Sequence, residues 1–225
     1  MYEKFGQFID GKWSPSSNNE TYEVINPATE EVLGHASKAT PADVDRALKS
    51  AEQGLKVWKK TPPWQRAYIL RKIADRIREK KDTLAKWMTL ENGKPLAEGV
   101  GETNGAADIF EWNAEETKRI FGQTIESRFE DTRVHVYYQP VGVVAALSPW
   151  NFPLILAARK ISTALAAGCS VIIKPDTITP GVVMELVDIC RECGVPPGVV
   201  NLLSGDPPSI ASQLIQSEII KKISI

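Results

Sequence analysis

The chain has 225 residues, 43% of them hydrophobic and 24% charged, with a formal net charge of −1. That length can bury the core of one large or two small domains, and the near-neutral balance points away from nucleic-acid and membrane surfaces as partners. No run reaches the ~18 apolar residues of a membrane span, Met1-Tyr2-Glu3-Lys4-Phe5 has no apolar signal region, and an odd count of cysteines (Cys169, Cys190, Cys193) fits a reducing, cytoplasmic setting.

Residues 7–34 read as short strands and turns. Phe8-Ile9-Asp10-Gly11-Lys12-Trp13 carries the Asp-Gly of a tight hairpin, and Tyr22-Glu23-Val24-Ile25 alternates until Asn26-Pro27 stops it. Thr40, Pro41 and Asp43 mark a helix start, after which Val44, Ala47, Leu48, Ala51, Leu55 and Trp58 recur at helical spacing up to Pro62-Pro63. A second helix carries Ala67, Leu70, Ile73, Ala74 and Ile77 on one face. A third covers Leu84, Trp87, Met88 and Glu91 and ends at Asn92-Gly93-Lys94-Pro95, and a fourth runs from about Leu96 to Ile120.

The pattern then changes. Arg133 to Tyr138 alternates and pairs as a hairpin with Gln123-Thr124-Ile125. Beyond Pro140, strands over 143–148, 170–174 and 199–203 alternate with helices over 153–167, 179–193 and 207–216, and a last strand begins at Ile220. This alternation predicts an α/β fold with a parallel sheet and right-handed crossovers, and the nearly continuous apolar character of the strands predicts helices on both faces.

Two strand ends carry the chemistry. Val143 to Leu147 breaks into Ser148-Pro149-Trp150-Asn151-Phe152-Pro153, and Ser170 to Ile173 breaks into Lys174-Pro175. In open α/β sheets ligands bind outside the carboxyl ends of the strands. Asn151 has an NH₂ donor suited to an oxyanion; as a cap for the helix that follows it has an alternative role, and composition favours the cap. Lys174 is either a solvated strand terminus or a donor to a ligand hydroxyl or phosphate. Arg159 and Lys160 stand out in an otherwise apolar helix as solvated charges or an anion clamp. Gly205 is either a plain turn or part of a ligand loop. Neither dinucleotide fingerprint, G-x-G-x-x-G or G-x-x-x-x-G-K-[ST], is present. Cys190-Arg191-Glu192-Cys193 has redox or half-zinc spacing, but it lies late in an amphipathic run with no second pair, so buried structural thiols are expected.

Several segments together carry a resemblance: Asn26-Pro27-Ala28-Thr29, Glu91-Asn92-Gly93-Lys94-Pro95, Pro140-Val141-Gly142-Val143, Ser148 to Pro153, Ala166-Ala167-Gly168-Cys169 and Pro196 to Asn201. In order and spacing they resemble the NAD(P)-dependent aldehyde dehydrogenases, specifically the N-terminal half. The resemblance implies a Rossmann-like sheet preceded by a β arm and a helical segment, with residues 1–120 and 140–225 forming the coenzyme-binding part and 121–139 a hairpin of the oligomerisation domain. It implies oxidation of an aldehyde to the acid with NADP or NAD as cofactor, in a homo-oligomer (dimer or tetramer). Asn151 resembles the oxyanion-hole asparagine, Lys160 a cleft lysine linked to proton movement, and Lys174 the lysine that contacts the adenosine ribose. Ser148, Trp150 and Gly205 resemble other parts of the cofactor cleft.

Two departures refine this. Where many members carry Lys-Pro-Ser-Glu this chain has Lys174-Pro175-Asp176-Thr177, and loss of the ribose-gripping Glu at Thr177 makes room for NADP, with Asp176 beside it opposing. Arg159 resembles the substrate-carboxylate contact of succinate-semialdehyde dehydrogenases, and 111–119 also resembles that branch; a hydroxyaldehyde such as lactaldehyde is the alternative substrate. The family's nucleophilic Cys and general-base Glu have no counterpart in this chain, so alone it is expected to be inactive. The alternatives are a truncated, catalytically silent fragment with exposed apolar edges, and a non-catalytic cofactor-binding or assembly module.

Overall fold

A computed structural model describes residues 2–225. The chain opens with a hairpin of β1 (Gln7–Ile9) and β2 (Lys12–Ser14), which turns at Asp10 and Gly11 with φ of 53° and 77°, the positive values a primed two-residue turn needs. A second hairpin pairs β3 (Thr21–Ile25) with β4 (Val32–Ser37); β4 lacks a clean alternation and escapes sequence reading. Helix α1 (Pro41–Trp58) starts as expected, with a capping box in which the Thr40 side chain takes the Asp43 N–H and Asp43 takes the Thr40 N–H. Helices α2 (Pro63–Glu79), α3 (Lys81–Asn92) and α4 (Leu96–Thr117) follow, α3 ending on Gly93 at φ 78°. The strands β5 (Gln123–Glu126) and β6 (Arg133–Val136) form a separate antiparallel ribbon with every β5 residue exposed.

Beyond it come β7 (Val143–Leu147), α5 (Pro153–Ala166), β8 (Ser170–Lys174), α6 (Pro180–Glu192), β9 (Val200–Leu202), α7 (Pro207–Gln216) and β10 (Ile220–Ser224). Strands β10, β7, β8 and β9 are parallel neighbours, as the alternation predicts. The sheet is not purely parallel, however. Its order is β10-β7-β8-β9-β1-β2, and the N-terminal hairpin adds antiparallel to β9 through Phe8 and Leu202. The correction has a local cause: buried Gln7 bonds the Ser204 backbone in both directions (Nε2 to O 3.0 Å, N to Oε1 2.8 Å) and reaches Ser37 O at 3.1 Å. Such pairing across the chain leaves no trace in the periodicity of residues 7–14.

Helices cover both faces. One face packs Leu70, Ile73, Phe110, Leu154 and Ile161 from α2, α4 and α5 together with α6, and the other packs Val44, Ala47, Leu48 and Ala51 of α1 with Ile210 and Leu214 of α7. Helix α1 lies unusually close. A Cβ at Gly54 would fall 2.2 Å from the Gly198 carbonyl carbon, so only glycine permits the approach. Cys190 and Cys193 are buried free thiols, the structural reading of that motif. Among the described residues no His/Cys/Asp/Glu group is arranged to hold a metal ion, and no helix is long and apolar enough to cross a membrane.

Candidate active site

The polar ends of β7 and β8 lie side by side, tied by the Ser148 N–H to the Lys174 carbonyl at 3.0 Å. Ser148, Lys174 and Asp176 line one cleft of about 220 Å³ together with Pro149 and Pro207. The Ser148 hydroxyl is buried and has no hydrogen-bond partner among the described residues. Lys174 is 5% exposed and stands apart from the ion-paired lysines, which are Lys4, Lys38, Lys80, Lys94 and Lys118. Burial pulls its ammonium below the usual lysine range, against the opposing pull of Asp176 and Asp206. A buried hydroxyl and a buried cation, both short of partners, are costly in isolation; a ligand hydroxyl or phosphate in the cleft satisfies both. Asp176 is held by accepting the Ile178 N–H at 3.2 Å. Thr177 is half-buried and lies outside the cleft lining.

Trp150 and Asn151 stand on the loop above this cleft and are exposed. The cap expected from composition does not form. The N-cap of α5 is Phe152, without a side-chain bond. The first-turn donors, Leu154 N and Ile155 N, go instead to Glu102 Oε1 at 2.9 and 3.1 Å. Asn151 is thereby left with its amide free of a partner among the described residues. Arg159 and Lys160 line a different cavity, an open groove of about 590 Å³ between α5 and β10. Arg159 is exposed; Lys160 is half-buried, donates to Ser224 Oγ at 3.3 Å, and is pulled below the usual lysine range by desolvation. The two cavities meet at Ile225, which lines both. Gly205 sits at φ 141°, where a Cβ would fall 2.8 Å from Ala39 N; this close approach is a packing reason for the glycine.

Sequence reading missed four residues around the site. Glu91 is buried and accepts Gly181 N at 2.7 Å and Val182 N at 3.2 Å at the start of α6, as well as the Tyr2 hydroxyl. Glu102 does the same for α5. Asn92 and Lys94 reach the Asn151 loop. The available signal was an acidic residue on an otherwise apolar face, Glu102 beside Thr103, Ala106 and Phe110. Asp206 takes Ser209 N at 3.1 Å and closes α7 in the same way. Each helix that follows a parallel strand here has a protein carboxylate on its first turn. A helix N-terminus ordinarily attracts a phosphate; at these three a protein carboxylate already takes first-turn N–H groups.

Comparison with known proteins gives the family. The aldehyde dehydrogenase family matches residues 13–225. Over 96% of the chain, a glutarate-semialdehyde dehydrogenase from Pseudomonas aeruginosa is 40% identical and so is the succinate-semialdehyde dehydrogenase (NADP(+)) GabD of Escherichia coli, in each case over 45% of the relative. The crystal structure of succinate-semialdehyde dehydrogenase from Burkholderia pseudomallei superposes with a TM-score of 0.96 at 38% identity, over 97% of this chain and 45% of that one. The chain spans about half the length of the curated relatives it matches. On the family match over residues 13–225 and the superposition of its fold, the chain belongs to the aldehyde dehydrogenase family.

Proposed function

We propose that this chain is the coenzyme-binding half of a dehydrogenase that oxidises a small anionic aldehyde, with succinate semialdehyde the leading candidate, to its carboxylic acid using NADP or NAD. One observation carries the reading: the unpartnered Ser148 hydroxyl and the buried, unpaired Lys174 share a cleft at the strand ends. Lys174 and Ser148 donate to hydroxyls of the adenosine ribose, and Trp150, on the loop above, and Gly205 are the further cofactor positions that the resemblance implies. Thr177 carries no carboxylate to repel a 2′-phosphate, and Asp176, which lines the cleft and accepts the Ile178 N–H, opposes it less than Lys174 attracts it. When bound, the nicotinamide supplies the hydride acceptor.

The remaining roles belong to side chains of this chain. The Asn151 amide donates to the aldehyde oxygen as negative charge develops there. Lys160, already pulled toward neutrality by burial, moves protons beside it. Arg159 pairs with the distal carboxylate, and both relatives named above act on semialdehydes of dicarboxylic acids, a class that carries such a group. In this reading the nucleophilic thiolate and the general base come from outside these residues. Burial pushes the Cys190 and Cys193 thiols up, away from the reactive thiolate. The exposed ribbon β5–β6 serves self-association, because a lone two-stranded ribbon is marginal in water.

Two measurements test this. Quenching of Trp150, exposed on the site loop, reports NADPH and NADH binding. NADPH is expected to bind more tightly than NADH, and Lys174→Met to weaken both by about tenfold or more, the loss of one charge-assisted hydrogen bond. Unchanged binding in Lys174→Met sinks the cleft assignment; NADPH binding no tighter than NADH sinks the Thr177 argument. In the enzyme of which this chain forms half, Arg159→Leu is expected to lower kcat/KM for succinate semialdehyde roughly tenfold more than for a neutral aldehyde of equal length. Equal losses refute the clamp.

A further inference from the structure

The loop that carries Asn151 is held from behind by a single stretch of chain, the elbow between α3 and α4. Asn92 Nδ2 donates to the Trp150 carbonyl at 3.0 Å. Lys94 Nζ donates to the Asn151 carbonyl at 3.2 Å and stands 4.5 Å from the centre of the Phe152 ring. Lys94 also pairs with Glu102 Oε2, and the other oxygen of that carboxylate takes the Leu154 and Ile155 N–H groups. Gly93, at φ 78°, makes the elbow tight enough to bring Asn92 and Lys94 to the same loop.

We propose that Asn92, Lys94 and Glu102 are positioning residues for Asn151: they fix the peptide groups on either side of it and so set the direction of its amide. This rests on Asn151 acting as donor to the aldehyde oxygen. Phe152, with φ −134° and ψ 68°, is neither helical nor extended, so no regular ladder holds residues 150–152. The fixed points are the carbonyls of 150 and 151, held by Asn92 and Lys94, and the amides of 154 and 155, held by Glu102. A buried ion pair adds little net stability, since desolvating two charges offsets their attraction; Lys94 and Glu102 are 8% and 6% exposed. Their remaining hydrogen bonds are all directed at 151–155, a task no apolar pair of the same volume performs. An oxyanion donor acts through placement, and a misplacement of about 1 Å costs on the order of 10²-fold.

The test uses the enzyme that contains this chain as its coenzyme-binding half. Lys94→Met is expected to lower kcat on the order of 10²-fold at a temperature where the variant is still folded, with KM for NADP little changed, a lowered melting temperature because Glu102 is left buried and unpaired, and faster amide exchange over 152–155. Lys94→Arg, which can still reach Glu102 and the Asn151 carbonyl, is expected to recover most of kcat. Asn92→Ala, at a partly exposed helix end, is expected to give a smaller loss in the same direction and carries the test if Lys94→Met does not fold. A kcat within about twofold of wild type in Lys94→Met or Asn92→Ala overturns the proposal, as does a loss that follows melting temperature alone and is not rescued by arginine. If Asn151→Ala keeps full kcat while Lys94→Met still loosens 152–155, the reading of Asn151 fails and the grip on the loop stands as a structural fact.

Discussion

Asn151→Ala, in the enzyme that contains this chain, is expected to lower kcat by about 10²–10³-fold, the effect of removing one oxyanion donor. The expectation follows from what the Asn151 side chain does not do in the fold. It does not cap α5, because Glu102 already holds the first-turn amides. Its removal should therefore leave stability almost unchanged. The discriminating pattern is a large fall in kcat with little change in cofactor affinity or melting temperature. A parallel fall in melting temperature would show that Asn151 supports the loop. A kcat within about threefold of wild type would remove it from the chemistry.

The second large effect concerns stability. Burial raises the Glu91 carboxyl from its ordinary 4.5 to about 7, even though bonds from Tyr2, Gly181 and Val182 work in the opposite direction. A carboxyl raised in the folded state holds its proton there at pH values where the unfolded chain has lost it. The contribution is complete below pH 4.5 and is lost as pH rises through 7, by about 3 kcal/mol across the window. Glu91→Gln should abolish this slope. With its carbonyl at the Oε1 position it still accepts from Gly181 and Tyr2, while its NH₂ faces the Val182 N–H and loses that bond, so the variant is less stable but without the slope. Urea midpoints between pH 4.5 and 8 are the measurement. A wild-type curve that is flat there, or a Gln variant with the same slope, contradicts the assignment. Asp43 acts at lower pH with the opposite sign: burial pushes its carboxyl up, but hydrogen bonds from Ser17 and Thr40 outweigh that and hold it down.

The strand ends that form the candidate cleft were legible because their signals are local. An apolar strand that breaks into Ser148-Pro149-Trp150-Asn151, or into Lys174-Pro175, declares a sheet edge in a few residues, and the fold places those ends beside each other. Arg159 and Lys160 stood out for the same reason, as charges in an apolar helix. What was not legible acts across the chain. Glu91 and Glu102 looked like ordinary helix residues, yet they cap helices 90 and 52 positions away. The cap expected of Asn151 failed through that same competition, since the carboxylate of a neighbouring helix reached the amides first. The N-terminal hairpin was foreseen as a hairpin but not as the strand pair that completes the main sheet, because edge pairing depends on tertiary context rather than on alternation.

The place of that hairpin bears on the order in which the protein is made. Gln7 closes its hydrogen bonds on Ser204, 197 residues later. At a synthesis rate of about 5–20 residues per second, β1 waits on the order of ten to forty seconds for its partner strand to be translated. The two local hairpins and helices α1 to α4 can form early, but β1 can join the sheet only once β9 has been made. Pairing at such separation is slow, and until it happens a nascent chain exposes Phe8 and Ile9, which the finished fold buries.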